Sequence, residues 1–172
     1  MTRRKFLYGS AGVLGLAALG GNFWQQRFLS PAMAAAEGNF EVTKTEEEWR
    51  AILSDTQYTV LREEGTERAF TSALNDEKRK GMFHCAGCDL AVYSSETKFD
   101  SGTGWPSFWE AEANAIGTRE DNSLFMARTE CHCARCGGHM GHIFDDGPQP
   151  TGKRHCINGV SLAFKPQAAV SG

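Results

Sequence analysis

The sequence predicts a mainly β domain of antiparallel strands, led by short N-terminal helices and pinned by a four-cysteine zinc site. Three features lead there. From Met82 to Phe164 the chain breaks into short apolar runs separated by turns rich in Gly, Pro and Asn. Ahead of them, Thr45 with Glu48 three residues on reads as a helix start. Cys85-Ala86-Gly87-Cys88 and Cys133-Ala134-Arg135-Cys136 form a matched pair of metal hooks.

The first residues read as an export segment. Arg3, Arg4 and Lys5 precede a weakly apolar run from Phe6 to Leu19, and small residues follow around Ala34 to Ala36. That order is the order of a signal peptide, so residues 1–36 are set aside from the fold. Thr2-Arg3-Arg4-Lys5-Phe6-Leu7 resembles the twin-arginine export signal, which implies that the chain is exported already folded, with any metal in place. The expected destination is the periplasm or another extracytoplasmic space. An uncleaved anchor is the weaker alternative, because the apolar run is shorter than the ~20 residues a span needs. Losing residues 1–34 removes Arg3, Arg4, Lys5 and Arg27 and takes the formal charge from -3 to -7. Nothing in that balance suggests a nucleic-acid partner, which would call for a basic patch.

The remaining chain is expected to hold a short leader at 37–44, one domain at 45–166 and a frayed tail at 167–172. In the first helix, Glu46 to Glu48 suit the positive N-terminal end, and Trp49, Ile52 and Leu53 make one apolar face. It should stop near Ser54 or Asp55. Tyr58 to Leu61 fits either an extended or a helical conformation, and Arg62 to Glu67 reads as a polar connector. Phe70 to Leu74 has a weak helical tendency. Strands are expected at Met82–His84, Leu90–Tyr93, Ser123–Thr129, Met140–Phe144, His155–Asn158 and Ser161–Phe164. Asp145 to Gly152, with Pro148 and Pro150, is a turn-rich link.

Each hook places two sulfurs on one tight turn, and two hooks surround one Zn²⁺ as a tetrahedron of thiolates. Gly87 and Gly137 are expected to let the backbone bend around it. With 44 residues between them, the hooks suit a metal that pins distant strands. A closed four-sulfur site leaves no open position, so this single zinc is structural. Redox-active CxxC pairs and iron–sulfur ligation use the same residues and remain weaker alternatives.

Two thiols are left over, Cys131 and Cys156. On a strand, Arg154, Cys156 and Asn158 share one face. A guanidinium favours a nearby thiolate, and the Asn158 amide can hold a water or a polar substrate group. His139 and His142 are candidate proton donors near neutral pH. Against this stand an inert strand cysteine and histidines engaged in structural hydrogen bonds or metal ligation. Trp105, in a Gly/Pro-rich loop, is the candidate wall for an apolar substrate group. Phe108 is a second candidate there, though core packing suits it better.

Ser101-Gly102-Thr103-Gly104-Trp105-Pro106-Ser107-Phe108, Arg128-Thr129-Glu130, His139-Met140-Gly141-His142-Ile143-Phe144 and Arg154-His155-Cys156-Ile157-Asn158 together resemble the methionine-R-sulfoxide reductases of the B type. The hook at Cys85 and Lys98-Phe99-Asp100 also match, and the likeness runs from about Thr45 to Pro166. It implies two antiparallel sheets around a small core, with short helices and often the four-cysteine zinc. It also implies reduction of the R epimer of methionine sulfoxide, mainly in oxidised proteins, with a thioredoxin-like or other thiol reductant. On that likeness Cys156 is the nucleophile, His139 and His142 orient and protonate the sulfoxide, Asn158 and Arg154 tune Cys156, and Trp105 packs on the substrate methyl. The chain is expected to act as a monomer.

Two departures stand out. The family often carries its resolving cysteine where this chain has Thr103, which leaves Cys131 as a possible resolving thiol or an external thiol as the alternative. In an extended segment, however, Cys131 points the same way as Cys133, toward the hook. His155 replaces the usual tyrosine and should point away from Cys156. A zinc-bound interaction module, a thiol peroxidase and a cysteine hydrolase are the rival classes from residues alone.

Overall fold

The computed structural model describes residues 39–123 and 127–168. The expected signal segment, the first part of the leader, the middle of the Ser123–Thr129 run and the end of the tail lie outside the described residues. Among the described residues no helix is long and apolar enough to cross a membrane.

Two short helices open the domain. Helix α1 spans Glu46–Ile52, with Thr45 and Glu48 forming the expected capping box. Leu53 leaves the helix in an extended conformation, and Ser54 at once starts α2, Asp55–Glu63. A second capping box, Ser54 with Gln57, begins it. Helix α2 therefore covers Tyr58–Leu61 and the first part of the expected polar connector. Its buried side is Tyr58, Val60 and Leu61. A single turn of 3-10 helix at Ala73–Asn75 answers the weak tendency seen there.

Nine strands follow: β1 Gly81–Cys85, β2 Ala91–Ser94, β3 Lys98–Phe99, β4 Ser107–Phe108, β5 Ile116–Asp121, β6 Arg128–Cys133, β7 His139–Phe144, β8 Arg154–Ile157 and β9 Leu162–Pro166. They form a three-stranded sheet, β2-β1-β9, and a six-stranded sheet, β3-β4-β8-β7-β6-β5. All pairings are antiparallel. The strand β5 (Ile-Gly-Thr-Arg-Glu-Asp) was not expected from the sequence. It is polar on both faces and at the sheet edge, so it carries no alternating apolar signal.

The two sheets face each other across an aromatic core. Phe83 of β1 meets Phe108 of β4 edge-on at 5.0 Å between centroids, and Tyr93 stacks on Phe108 at 4.3 Å. Val92, Met140, Ile157 and Leu162 fill the space around them. Such burial contributes roughly 1.5–3 kcal/mol per fully buried side chain. Phe108 thus belongs to the core and not to a substrate pocket, because its strand position faces the small sheet.

His155 sits on this same inner face, paired across the strands with Phe108 and Ile143. Its Nδ1 lies 3.2 Å from the buried Tyr93 hydroxyl. Burial, with a smaller push from Lys153, drives its pKa down to about 4. The folded state therefore resists protonating it, whereas the unfolded chain takes the proton near pH 6.5. This stability is full above pH 6.5 and is lost as the pH falls toward 4, a change of up to about 3 kcal/mol. In urea titrations at pH 7.0 and 4.5, His155→Phe should lose about 1 kcal/mol at pH 7 from the stranded tyrosine hydroxyl. It should, however, fall less than the wild type between the two pH values. Equal falls would show that His155 does not supply this acid limb.

Candidate active site

The pairings β6–β7 and β7–β8 decide which side chains meet. Glu130 lies opposite His142, and His142 opposite Cys156. Cross-strand partners point to the same side of a sheet, so these three share the outer face with Arg154 and Phe144, which oppose each other two residues on. A cavity of about 130 Å³ opens there. It is lined by Thr66, Trp105, Arg128, Gly141, His142, Phe144, Cys156 and Asn158.

Gly141 lies close under β8: a Cβ there would sit 2.0 Å from the Cys156 carbonyl oxygen. No larger residue fits between the two histidines without parting β7 from β8.

Cys156 is half-buried at this cavity. Burial raises its pKa, while Thr103 and the Arg154 guanidinium pull it down, and burial wins. Arg154 is itself fixed from two sides. Its Nε and Nη2 donate to the two carboxylate oxygens of Asp146 at 2.8 and 2.9 Å, and the guanidinium lies over the Phe144 ring at 4.4 Å. This forked geometry holds the charge in one place beside the sulfur. Asp146 was not singled out from the sequence; it lies in the turn-rich link, where an Asp has many turn roles.

The two histidines are anchored by different carboxylates. His139 Nδ1 is 2.7 Å from Glu130 Oε1. His142 Nε2 is 2.8 Å from Asp121 Oδ2. Their rings meet edge-on at 5.5 Å. His142 lines the Cys156 cavity, and His139 lies behind it in the adjoining polar cleft that also holds Glu130 and Asp121. Burial lowers the pKa of His142 against the opposing pull of Asp121.

Glu130 is only 2 % exposed yet ionised. Burial alone would raise its pKa. Hydrogen bonds from His132 and His139 and the charges of His139 and Arg119 outweigh that and hold it down at about 2. Arg119 Nε approaches it at 2.6 Å, and Arg119 also pairs with Glu64. Glu130 and Asp121 complete the site without having been assigned a role from the sequence. The alternation Arg-Thr-Glu on a strand beside the histidines was the available signal.

Asn158 and Trp105 are held by one loop. The Asn158 amide oxygen accepts the Glu67 N–H at 2.8 Å, and its nitrogen donates to the Met140 carbonyl at 3.1 Å. Trp105 Nε1 donates to the Glu67 carbonyl at 2.9 Å. Asn158 thus spends its oxygen and one N–H on the backbone and keeps one N–H at the cavity.

Cys131 lies opposite Gly141, which lies opposite Ile157, and these belong to the inner face. Its thiol is fully buried, and burial pushes its pKa up to about 12. The structure therefore separates Cys131 from Cys156 by the thickness of the sheet. The residue whose side chain does reach Cys156 is Thr103, its Oγ1 3.8 Å from the sulfur.

At the far end of the sheets, the sulfurs of Cys85, Cys88, Cys133 and Cys136 all lie within 4.8 Å of one another. Cys85 and Cys136 are 3.7 Å apart, and Cys88 and Cys133 3.5 Å. A tetrahedron with metal–sulfur bonds of about 2.3 Å has edges of about 3.8 Å, so this donor set fits one ion. The two hooks fold alike: Asp89 N–H donates to the Cys85 carbonyl and Gly137 N–H to the Cys133 carbonyl, each at 2.9 Å. Asp89 and Gly137 take the left-handed conformation (φ 62° and 68°). Gly137 bends as expected, but in the first hook Asp89, not Gly87, makes the turn.

Comparison with known proteins agrees with the site. The family described as "SelR domain" matches residues 53–166. Proteins named peptide methionine sulfoxide reductase MsrB are similar in several organisms. That of Methanosarcina mazei is 52% identical over 125 residues, 72% of this chain and 89% of its own. That of Pseudomonas putida is 55% identical over 128 residues, 74% of this chain and 96% of its own. That of Thiobacillus denitrificans is 54% identical over 125 residues, 72% and 95%.

The cage geometry has a direct consequence. Cys133→Ser should lower metal content, measured by elemental analysis, to a small fraction of one ion per chain. It should also lower the melting temperature by about 10 °C or more, since loss of such a site costs several kcal/mol. A variant that keeps both metal and melting point would show that the four sulfurs do not act as one site.

Proposed function

The chain belongs to the SelR domain family, and on that footing we propose that it is a peptide-methionine (R)-S-oxide reductase. The observation that carries this is a small cavity lined by Cys156, Trp105 and His142 together, with Arg154 held beside the sulfur by Asp146. An apolar wall and a proton donor in one cavity suit a methyl sulfoxide, whose methyl and oxygen must be told apart. The opposite epimer would put oxygen against the indole and methyl against the imidazole, leaving buried polar groups unpaired.

The chemistry balances on these residues. The Cys156 thiol loses its proton, and the sulfur attacks the sulfoxide sulfur. Protons reach the sulfoxide oxygen through His142, with His139 behind it. The protonated oxygen leaves as water, so that Cys156 is joined to the methionine sulfur as a sulfonium. A water then attacks the Cys156 sulfur, the sulfur–sulfur bond breaks, methionine leaves as the sulfide, and Cys156 is left as a sulfenic acid with one proton released. An external dithiol then attacks that sulfenic acid, water leaves, and the resulting mixed disulfide is cleared by the second thiol. We place regeneration with such a thioredoxin-like or other thiol partner, not with Cys131, because of the buried, inner-face position of Cys131. Glu130 acts through His139: by accepting its Nδ1 hydrogen it leaves Nε2 for the reaction.

The four cysteines are proposed to hold one Zn²⁺. A closed site of four thiolates supplies structure alone, tying strand ends together. Thr2 to Leu7 and the small residues at Ala34 to Ala36 support export by a twin-arginine route, and with it repair of oxidised proteins outside the cytoplasm by the domain at 45–166.

Epimer-resolved turnover on free and peptide-bound methionine sulfoxide tests the reading. The wild type should consume the R epimer, and Cys156→Ser should lose at least about 10³-fold. Residual full activity in that variant would remove Cys156 as nucleophile. Cys131→Ala should keep turnover with a dithiol protein reductant within about threefold; loss of multiple turnover, with one turnover retained, would return Cys131 to the cycle. Glu130→Gln should lower kcat about 10–100-fold with KM little changed, as expected for a group that positions a proton donor.

A further inference from the structure

Behind Cys156 runs a line of three hydroxyls that the proposed chemistry does not use. Thr103 Oγ1 is 3.8 Å from Cys156 Sγ and 2.8 Å from Ser101 Oγ. Ser101 Oγ is 2.7 Å from Ser107 Oγ, and Ser107 Oγ is 3.1 Å from the Trp105 carbonyl. Each link sits on a fixed support. Ser107 is fully buried in β4, directly opposite Cys156 in β8. The loop bearing Thr103 turns through Gly102 and Gly104, both at positive φ (69° and 91°), and is tied down by Asp100 to the Gly102 N–H and by Ser101 to the Thr103 N–H.

Such a line has two complete hydrogen-bond patterns. With Cys156 as a thiol, every proton points away from the sulfur: thiol to Thr103, Thr103 to Ser101, Ser101 to Ser107, and Ser107 to the Trp105 carbonyl. With Cys156 as a thiolate, the three hydroxyls rotate and every proton points toward it. A hydroxyl both donates and accepts, so the line stays satisfied at the sulfur in either state.

We propose that Thr103, backed by Ser101 and Ser107, is a catalytic hydrogen-bond donor that stabilises the Cys156 thiolate, compensating for the burial of that sulfur. No proton travels the line, because the carbonyl at its end cannot take one; the thiol proton leaves toward the sulfoxide oxygen. The inference rests on Cys156 being the nucleophile. It gives position 103 a role of its own in a chain with no cysteine there. The lowering of the Cys156 pKa by Thr103 is in the same direction.

The test follows alkylation of Cys156 by iodoacetamide against pH, read on the Cys156 peptide by mass spectrometry in the metal-loaded protein. Thr103→Val keeps shape and removes the hydroxyl. It should move the alkylation midpoint up by about half to one pH unit, slowing labelling at pH 7 about 3–10-fold. Thr103→Ser should restore the wild-type profile. Ser101→Ala, which leaves Thr103 in place, should shift the midpoint the same way by less, and it serves if Thr103→Val fails to fold. Superimposable profiles for wild type, Thr103→Val and Ser101→Ala would overturn the proposal, as would a Thr103→Ser profile equal to that of Thr103→Val. Because labelling needs no sulfoxide, this outcome is separable from a wild type that fails to reduce either epimer, which would instead remove the reductase reading.

Discussion

Four sulfur atoms are where the two sheets are forced to meet. Cys85 closes β1 of the small sheet and Cys133 closes β6 of the large one, so the cage joins the last residue of each. Helix α2 locks against it, with Arg62 Nη1 donating to the Cys136 carbonyl at 3.0 Å and lying over Trp49 of α1 at 4.9 Å. With one end fixed, the sheets are spaced for a single layer of aromatic rings, and Phe108 and His155 have only one side to face. Cys156, between His155 and Ile157, is thereby turned to the other side. The position of the Cys156 sulfur follows from alternation along one strand, once its neighbours are committed to the core.

On that outer side, charge is organised in self-contained clusters. Glu130 is surrounded by Arg119, His132 and His139, and Asp146 by Arg154. An isolated buried carboxylate would take up a proton, but one with three donors stays ionised. The cluster at Glu130 therefore does two things at once. It gathers the charges between β5 and β7, and it engages His139 at Nδ1 and not at Nε2. The paired Arg154 works differently: two of its five donors are committed to Asp146, which fixes the guanidinium charge beside the thiol.

Much of this was legible in the sequence, for reasons that differ by element. The hooks were readable because metal ligation demands two sulfurs at fixed spacing. Helix α1 was readable from Thr45 and Glu48. Helix α2 was blurred, although Ser54 and Gln57 carry the same signature, because Tyr58-Thr59-Val60 favours strands locally and only packing against β7 and the hook settles it. Strand β5 was invisible, since Arg119 and Asp121 point to charged partners on β6 where an apolar face would be looked for. The outer-face grouping of Arg154 and Cys156 followed from alternation. Asp146 and Asp121 did not, because a carboxylate's role depends on a partner far away in the sequence. Cys131 was a candidate because the other thiols had tasks, while core packing already suited Phe108 better than a pocket; register turns both inward.

The irregularity where β6 pairs with β7, with Met140 of β7 as the extra residue opposite Cys131 and His132, has a further meaning. Along β6 the alternation runs on unbroken: Glu130 faces out, Cys131 faces in and Cys133 reaches the sulfur cage. Three kinds of thiol are thus lodged in three compartments: one in the open cavity, one sealed in the core and four in the cage. The large sheet stands between Cys131 and Cys156. The proposed cycle oxidises Cys156 at every turnover, and Cys131 lies on the opposite face of the sheet, where mispairing would first require the strands to come apart. Slipping β6 by a single residue would exchange the carboxylate and the thiol across that sheet, so its register guards the redox identity of the protein as much as its shape.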